Sequence, residues 1–447
     1  MALAGVRVLD FSRFQNGPFA TCLLADIGAD VVKVEQPGLG DTGRSFISHH
    51  SGFCGYNESL NRGKRSIELD LKSPAAGPNA LVDDGGPPSS CQETAAGARP
   101  ALERLIQWAD VLVENYKVGV LDRLGLGYED CKRINPRLIY CANSGFGPEG
   151  PWALRGSFDV VCQGMSGAAM AQGGGPSHMP RFTEWGAADQ VGALNFAFHI
   201  ASALYAREKT GVGQKLECSQ LGAMLQFQAI SCVPSFFSGD QRDDGRPTNA
   251  DNVNLSYYPC GDGKWLTCAP CMEDHFWPKF CKALGLEELM TDERTKHQGR
   301  RWKNPGYFRE RIEARLKEKP RDYWIERIIE VGVPVGPVLD YQEIATHPQM
   351  LANNYVTEVE NQYGRFKTVG VMARYSGTPA PPVGTAPDLG EHTEEVLRDI
   401  CGMSDADVKA LAAAHATTPD RAKGYREPHW IKVHKWKAHV AEKRSRL

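Results

Sequence analysis

The sequence predicts an α/β fold, a Rossmann-like large domain built from both ends of the chain with a smaller α+β domain inserted between them. Three observations carry this reading. The chain opens on a βαβ unit, strand and helix patterns alternate as far as about Ser144, and the pattern changes over 247–344 before strands and helices return.

The first strand is VRVLDF, Val6 to Phe11, a short apolar run of the kind that is buried in a sheet. PFATCLLADIGAD, Pro18 to Asp30, then carries apolar residues at helical spacing, with Pro18 where a first helical turn tolerates it. DVVKVE, Asp30 to Glu35, is the second strand. The tight turn Gln15-Asn16-Gly17-Pro18 therefore lies at the carboxyl end of strand one, the edge at which open parallel sheets bind ligands.

Helices are expected at 157–170, 188–206 and 216–237. SYYPCGDGKWLTCAP reads as a hairpin turning at Gly261-Asp262-Gly263. Helices follow at 275–284, 308–317 and 321–331, and again at 391–400 and 405–414. The expected organisation is a large domain over 1–225 with a loop insertion at 75–98, a linker at 226–246, and a small domain over 247–344. The chain then returns to the large domain over 345–415 and ends in a basic tail, 416–447.

The chain has 447 residues, 42% of them hydrophobic, enough for more than one core. A formal charge of −3 gives no reason to expect nucleic acid or an anionic membrane as partner. No apolar run approaches the ~20 residues of a membrane helix. Thirteen cysteines at irregular spacing fit reduced thiols in an intracellular setting. The segment Ala75 to Ala98 is rich in Gly, Pro, Ala and Ser and lacks periodicity. The tail from Arg421 to Leu447 carries nine Lys and Arg and reads as a solvated extension. It ends Ser445-Arg446-Leu447, which is similar to the peroxisomal address SKL and implies an import receptor as partner; otherwise the cytoplasm or mitochondrion is expected.

Two motifs are set aside. Gly145 to Gly150 satisfies G-x-G-x-x-G, yet Pro148 and Pro151 interrupt the helix that a dinucleotide site needs. Cys268 and Cys271 form a C-x-x-C with no second pair at zinc spacing, so no metal is expected.

Several ordered blocks carry a family resemblance. They are VLDFSRFQNGPFATCLLADIGADVVKVEQPGLGD, NRGKRSIELDLKSP (Asn61 to Pro74), ADVLVENYKVGVLDRLGLGYE (Ala109 to Glu129) and NPRLIYCANSGFGPEGPW (Asn135 to Trp152), followed by GSFDVVCQGMSG, Gly186 to Gln214, GVPVGP and LGEHTEEVL. Together they resemble the class III CoA-transferases of the CaiB/BaiF type, which include formyl-CoA, carnitine and succinyl-CoA:glutarate CoA-transferases. The resemblance implies an interlocked homodimer of ring-shaped subunits. It implies transfer of CoA from an acyl-CoA to a small carboxylic acid, with CoA as substrate and no separate cofactor.

Read from the residues alone, Asp189 is an N-cap or first-turn residue ahead of an apolar helix. The resemblance makes it the nucleophile, since GAADQVGAL is similar to the family's nucleophile segment. A carboxylate near a helix N-terminus is also expected to stay ionised. Gln15 matches the family's active-site glutamine and is the second catalytic expectation, as a donor to a carbonyl oxygen. For CoA the resemblance implies Gln15, Asn16, Leu69, Asp70, Leu71, Lys72, Asn115, Tyr116, Lys117, Arg123 and Arg155. The glycine-rich loop of formyl-CoA transferases is missing from DNVNLSYYPCGDGK.

Two rivals stand beside this reading. α-Methylacyl-CoA racemases share the fold but use a histidine in a G-H-D block. Here the block reads Gly156-Ser157-Phe158-Asp159, and phenylalanine carries no proton. Asp159 then reads as a structural hydrogen-bonding residue. The other rival is a non-catalytic acyl-CoA-binding relative, against which Asp189 and Gln15 both stand.

Overall fold

The computed structural model describes residues 1–46, 53–71, 98–240, 256–270, 274–303 and 305–416. Lys72, most of the expected insertion and the tail from 417, with Ser445, Arg446 and Leu447, lie outside the described residues.

The chain divides into two compact units, and the first holds both chain ends: Met1–Ser166, Thr183–Pro234 and Asn353–Leu447. At its centre is a six-stranded sheet of β1 (Arg7–Asp10), β2 (Asp30–Glu35), β3 (Arg65–Glu68), β4 (Val111–Glu114), β5 (Ile139–Ser144) and β6 (Lys215–Ser219). The order is β3-β2-β1-β4-β5-β6 and every neighbouring pair is parallel. The connections from β1 and β4 therefore depart in opposite directions and open a crevice between them, the switch point of a doubly wound sheet.

Alternation along the strands explains why they are apolar throughout. Val8, Val31, Val111 and Ile139 face one side with Phe196 and Ile200 of the Ala187–Thr210 helix. Leu9, Val32, Leu112 and Tyr140 face the other, against Leu102 and Leu105 of the Arg99–Trp108 helix and Val396 and Leu397 of the Thr393–Asp399 helix. Both faces are covered, as parallel sheets require. The C-terminal part is also tied in by hydrogen bonds: Glu68 N–H donates to Thr393 Oγ1 at 3.0 Å and Ala386 N–H to the Glu58 carboxylate at 2.9 Å.

One expectation is corrected. The span 216–237 was expected to be helical throughout, but it begins within β6, which pairs with β5 from Tyr140↔Lys215 to Ser144↔Ser219. Helices follow at Gln220–Phe227 and Ala229–Ser238, the second within the span expected as a linker.

The second unit comprises Gly167–Phe182 and Ser235–Ala352. Its sheet is antiparallel, with β7 (Ser256–Pro259), β8 (Trp265–Cys268) and β9 (Val335–Val338), the first two forming the expected hairpin. Trp277, Phe280, Phe308, Ile312, Trp324 and Ile328 form its core. In the first unit, β10 (Val356–Asn361) and β11 (Gly364–Val369) make a separate antiparallel hairpin. Among the described residues no helix is long and apolar enough to cross a membrane.

Candidate active site

The site is built where β1, β4, β5 and the Ala187–Thr210 helix converge. Asp189 lies in the first turn of that helix, whose N-cap Gly186 has no side chain to offer. The cap comes from elsewhere. Asp159, opening the Asp159–Met165 helix, accepts the backbone N–H of Ala188 at 2.6 Å and of Asp189 at 3.2 Å through Oδ1. Its Oδ2 accepts from Gln163 Nε2 at 2.6 Å. Asp159 therefore caps the Ala187–Thr210 helix, whose first turn holds Asp189.

Asp189 is held at two further points. Its backbone carbonyl accepts Asn16 Nδ2 at 3.0 Å, and its Oδ1 accepts Gln220 Nε2. The backbone bond depends on Gly192, because a Cβ there would lie 2.3 Å from Asn16 Nδ2. Burial pushes the Asp189 carboxyl up to about 7; the neighbouring Asp159 charge adds to the rise, and the Gln220 bond opposes it. The expectation of a carboxylate kept ionised by the helix end is thus corrected: Asp159 takes the helix amides, and Asp189 carries the cost of burial beside it.

Gln15 faces the same corner. Its Nε2 donates to the Trp185 carbonyl at 2.9 Å and its Oε1 accepts from the Tyr56 hydroxyl at 3.3 Å. The rings of Phe14, Phe46, Tyr56 and Phe158 pack edge-to-face beside it. Phe14 and Trp185 both adopt the left-handed backbone region, with φ of 64° and 59°. Such conformations persist where the surroundings over-determine them.

Those surroundings are a buried ionic network beneath the turn. Lys33 Nζ donates to the Ser12 carbonyl at 2.7 Å and pairs with Asp41 at 3.0 Å. Asp41 Oδ1 accepts the Phe14 N–H at 3.0 Å. Lys64 pairs with Asp10 at 3.0 Å and also donates to the Pro18 carbonyl at 2.8 Å. Asn115 bridges the crevice, its Oδ1 accepting Arg13 N–H and its Nδ2 donating to the Arg13 carbonyl, both at 2.8 Å. The turn from Ser12 to Asn16 is thus fixed by Lys33 of β2, by Asp41 and by Asn115, while Lys64 holds its flanks at Asp10 and Pro18.

The other expected CoA contacts fall in several places. Leu69 is wholly buried in the core, and Leu71 and Tyr116 pack against it. Asn16 is buried, its amide taken up by Asp189 and Asn143. The side chains of Leu69 and Asn16 are therefore used within the fold. Asp70 lies two residues beyond the carboxyl end of β3. Lys117 lies against Gly156, where a Cβ would be 3.0 Å from its Cε. Arg123 ends the short Val120–Arg123 helix, and Arg155 stacks 4.1 Å from the Trp152 ring centroid. Gln220 and Tyr56 were not anticipated. A buried glutamine after a strand carries no motif, and Tyr56 reads as an ordinary aromatic in a helical stretch.

Fold and site together define a doubly wound α/β protein with a half-buried carboxylate at the switch-point edge of its sheet. The sequence profile of CoA-transferase family III matches residues 3–81 and 94–393, and the chain belongs to that family. It is 35% identical over 352 residues to the acetyl-CoA:oxalate CoA-transferase of Acetobacter aceti, covering 78% of this chain and 84% of that one. It is 32% identical over 453 residues to the formyl-CoA:oxalate CoA-transferase of Rhodopseudomonas palustris strain BisA53, covering 94% and 98%. A CAIB/BAIF family protein from Brucella suis superposes with a TM-score of 0.74 at 30% identity, over 89% of this chain and 99% of that one.

Proposed function

We propose that the protein is an acyl-CoA:carboxylate CoA-transferase with Asp189 as its nucleophile. The observation that carries this reading is the state of the Asp189 carboxylate. Its backbone and one oxygen are fixed by Asp159, Asn16 and Gln220, while Oδ2 has no hydrogen-bond partner among the described residues and is left to attack.

Asp189 Oδ2 attacks the donor thioester carbonyl and expels CoA thiolate, leaving a mixed aspartyl–acyl anhydride. The thiolate then attacks the aspartyl carbonyl, which releases the donor acid and forms an aspartyl–CoA thioester. The acceptor carboxylate attacks this thioester, regenerating an anhydride and free thiolate. Attack of the thiolate on the acceptor's acyl carbon yields the new acyl-CoA and restores Asp189. Each attack places negative charge on a carbonyl oxygen, for which the Gln15 amide is a donor once it leaves the Trp185 carbonyl. The names of the relatives support a short acyl-CoA as donor and an oxalate-type acid as acceptor. Lys117, Arg123 and Arg155 supply positive charge for the CoA phosphates.

The working form is a homodimer, as the family resemblance implies. Leu194, Phe198 and Tyr205 form an exposed stripe on one face of the Ala187–Thr210 helix, and Leu225, Phe227 and Ile230 are exposed nearby in the chain, which supports a covered surface.

The test is covalent trapping. Incubation with acetyl-, formyl- or succinyl-CoA without acceptor, acid quench and intact mass measurement should give a CoA adduct mapped to Asp189. Addition of oxalate should discharge it as oxalyl-CoA. An Asp189→Asn variant, folded as the wild type, should show neither; an active variant overturns the reading.

A further inference from the structure

Gln220 opens the Gln220–Phe227 helix immediately after β6, at the carboxyl edge of the sheet, and is buried. The helix is started by Ser219, whose hydroxyl accepts the Gly222 N–H at 3.0 Å, so the first-turn side chain is fixed at the site corner. The two ends of its amide meet different groups. Nε2 faces Asp189 Oδ1. Oε1 lies 3.5 Å from Ser157 Oγ and 3.6 Å from Cys162 Sγ, a hydroxyl and a thiol that both carry a proton. Turning the amide over would set its oxygen against the Asp189 carboxylate, acceptor against acceptor. The orientation with the N–H on Asp189 is therefore the one the network selects.

Ser157 is itself placed by a close approach. A Cβ at Gly145 would lie 2.2 Å from Ser157 Cβ, and Cys162 Sγ is 3.3 Å from the Gly145 carbonyl. The chain Gly145–Ser157–Cys162–Gln220–Asp189 thus runs from the end of β5 to the nucleophile without passing through Gln15.

We propose that Gln220 is a catalytic donor, holding Asp189 Oδ1 as the carbonyl oxygen of every aspartyl intermediate and leaving Oδ2 as the attacking atom. The inference rests on the transferase reading above and adds a division of labour within it. Attack by CoA thiolate on the anhydride, and by the acceptor on the thioester, both occur at the aspartyl carbon. In both, the electron pair of the C=O bond moves onto Oδ1, where the Gln220 N–H already points. It returns to the C=O bond as the bridging oxygen or the thiolate leaves. In the other two attacks the charge develops on the substrate's own acyl oxygen and not on Oδ1. Fixed donors aimed at developing charge are worth more than those that must reorganise.

The test compares Gln220→Met, which keeps the length of the side chain, with wild type at pH 8.5, using acetyl-CoA or whichever acyl-CoA gives the Asp189 adduct. The rate of aspartyl–CoA formation should fall about 10²–10³-fold, the loss typical of one oxyanion donor. KM for the acyl-CoA should stay within about threefold, since both ends of the Gln220 amide are taken up by Asp189, Ser157 and Cys162. An adduct rate within threefold of wild type overturns the proposal. Thermal midpoint and CoA affinity are measured alongside. Should the methionine variant unfold, Ser157→Ala is read instead: it keeps Gln220 and removes one of the two donors behind it. A several-fold slower adduct with unchanged CoA affinity is then expected, and an unchanged rate overturns the proposal. A wild-type protein that forms no adduct with any acyl-CoA would instead defeat the transferase reading, so the two failures are told apart.

Discussion

The Oδ1 of Asp159 accepts the backbone N–H of Asp189 at 3.2 Å, so two acids meet at one helix end with unequal surroundings. Asp159 receives two helix amides and the Gln163 amide, whereas Asp189 receives the Gln220 amide on its side chain. Asp189 is the acid whose carboxyl burial, and then the Asp159 charge beside it, pushes up to about 7.

This sets the pH dependence. In the proposed mechanism Asp189, pushed up to about 7 by burial and then by Asp159, must lose its proton to attack. Adduct formation in the free enzyme should rise as pH increases through about 7 and level off above it. Asp159→Asn removes the neighbouring charge, and the rising limb should move to lower pH. Stopped or quenched single-turnover rates between pH 5.5 and 9 decide this; an unmoved limb in the variant refutes the coupling. The stability term has the opposite sense. A carboxyl raised in the folded state holds a proton the unfolded chain has already lost. Its contribution is present below the ordinary carboxyl range and disappears as pH rises through about 7.

Gly186 and Gln15 are matched sterically. Gly186 has φ of +68°, and a Cβ there would lie 2.5 Å from Gln15 Nε2 and 2.6 Å from Oε1. Gly186→Ala therefore strains the backbone and expels the Gln15 amide. Turnover should drop about 10²-fold, the scale of an ångström-sized misplacement of a catalytic group. The Asp189 carboxylate, whose own partners are on other elements, should remain able to form the adduct slowly. A variant with wild-type kcat would show that the Gln15 position is irrelevant to the chemistry.

Much of this architecture is legible in the sequence because apolar runs and their breaks are local. Val8–Leu9 and Val31–Val32 alternate between two buried faces, and the turn after β1 falls where a ligand edge is expected. Strand β6 escapes because Lys-Leu-Glu-Cys-Ser is short and runs directly into helical spacing at Gln220. Gln220 itself is silent: its partner is 31 residues distant, and nothing local marks a glutamine as a donor. Lys33 and Asp10 do leave a signal. A charge inside a parallel strand buried on both faces has to be paired, although sequence alone does not say with what.

That buried network makes a stability prediction. Asp10 and Lys64 are both wholly buried and lie 3.0 Å apart. Burial raises the Asp10 carboxyl, but Lys64, Lys33 and the hydroxyls of Ser12 and Thr21 outweigh it and hold it well below the usual range. Lys64→Met strands this carboxylate and should cost about 3–5 kcal/mol in urea or thermal unfolding. Adding Asp10→Asn should recover part of the loss. Stability from Asp10 is present above the ordinary carboxyl range and declines as pH falls below it. A single variant as stable as wild type at pH 7 would mean that the pair is not buried in solution.

The exposed stripe on the helix that carries Asp189 gives the last prediction. Leu194, Phe198 and Tyr205 are spaced so that they share one face of the Ala187–Thr210 helix, while Ala193, Phe196 and Ile200 turn inward to the sheet. A helix apolar on both sides is stable when both are covered. In the proposed homodimer the outward residues supply the contact between copies, and Phe198→Glu should break it without touching the core. Light scattering after gel filtration should show a dimer for wild type and a monomer for the variant at micromolar concentration. The helix begins two residues before Asp189, so loss of the contact should also loosen the capping by Asp159 and slow adduct formation. A wild-type monomer that retains full transfer activity would refute both the interface and its link to the nucleophile.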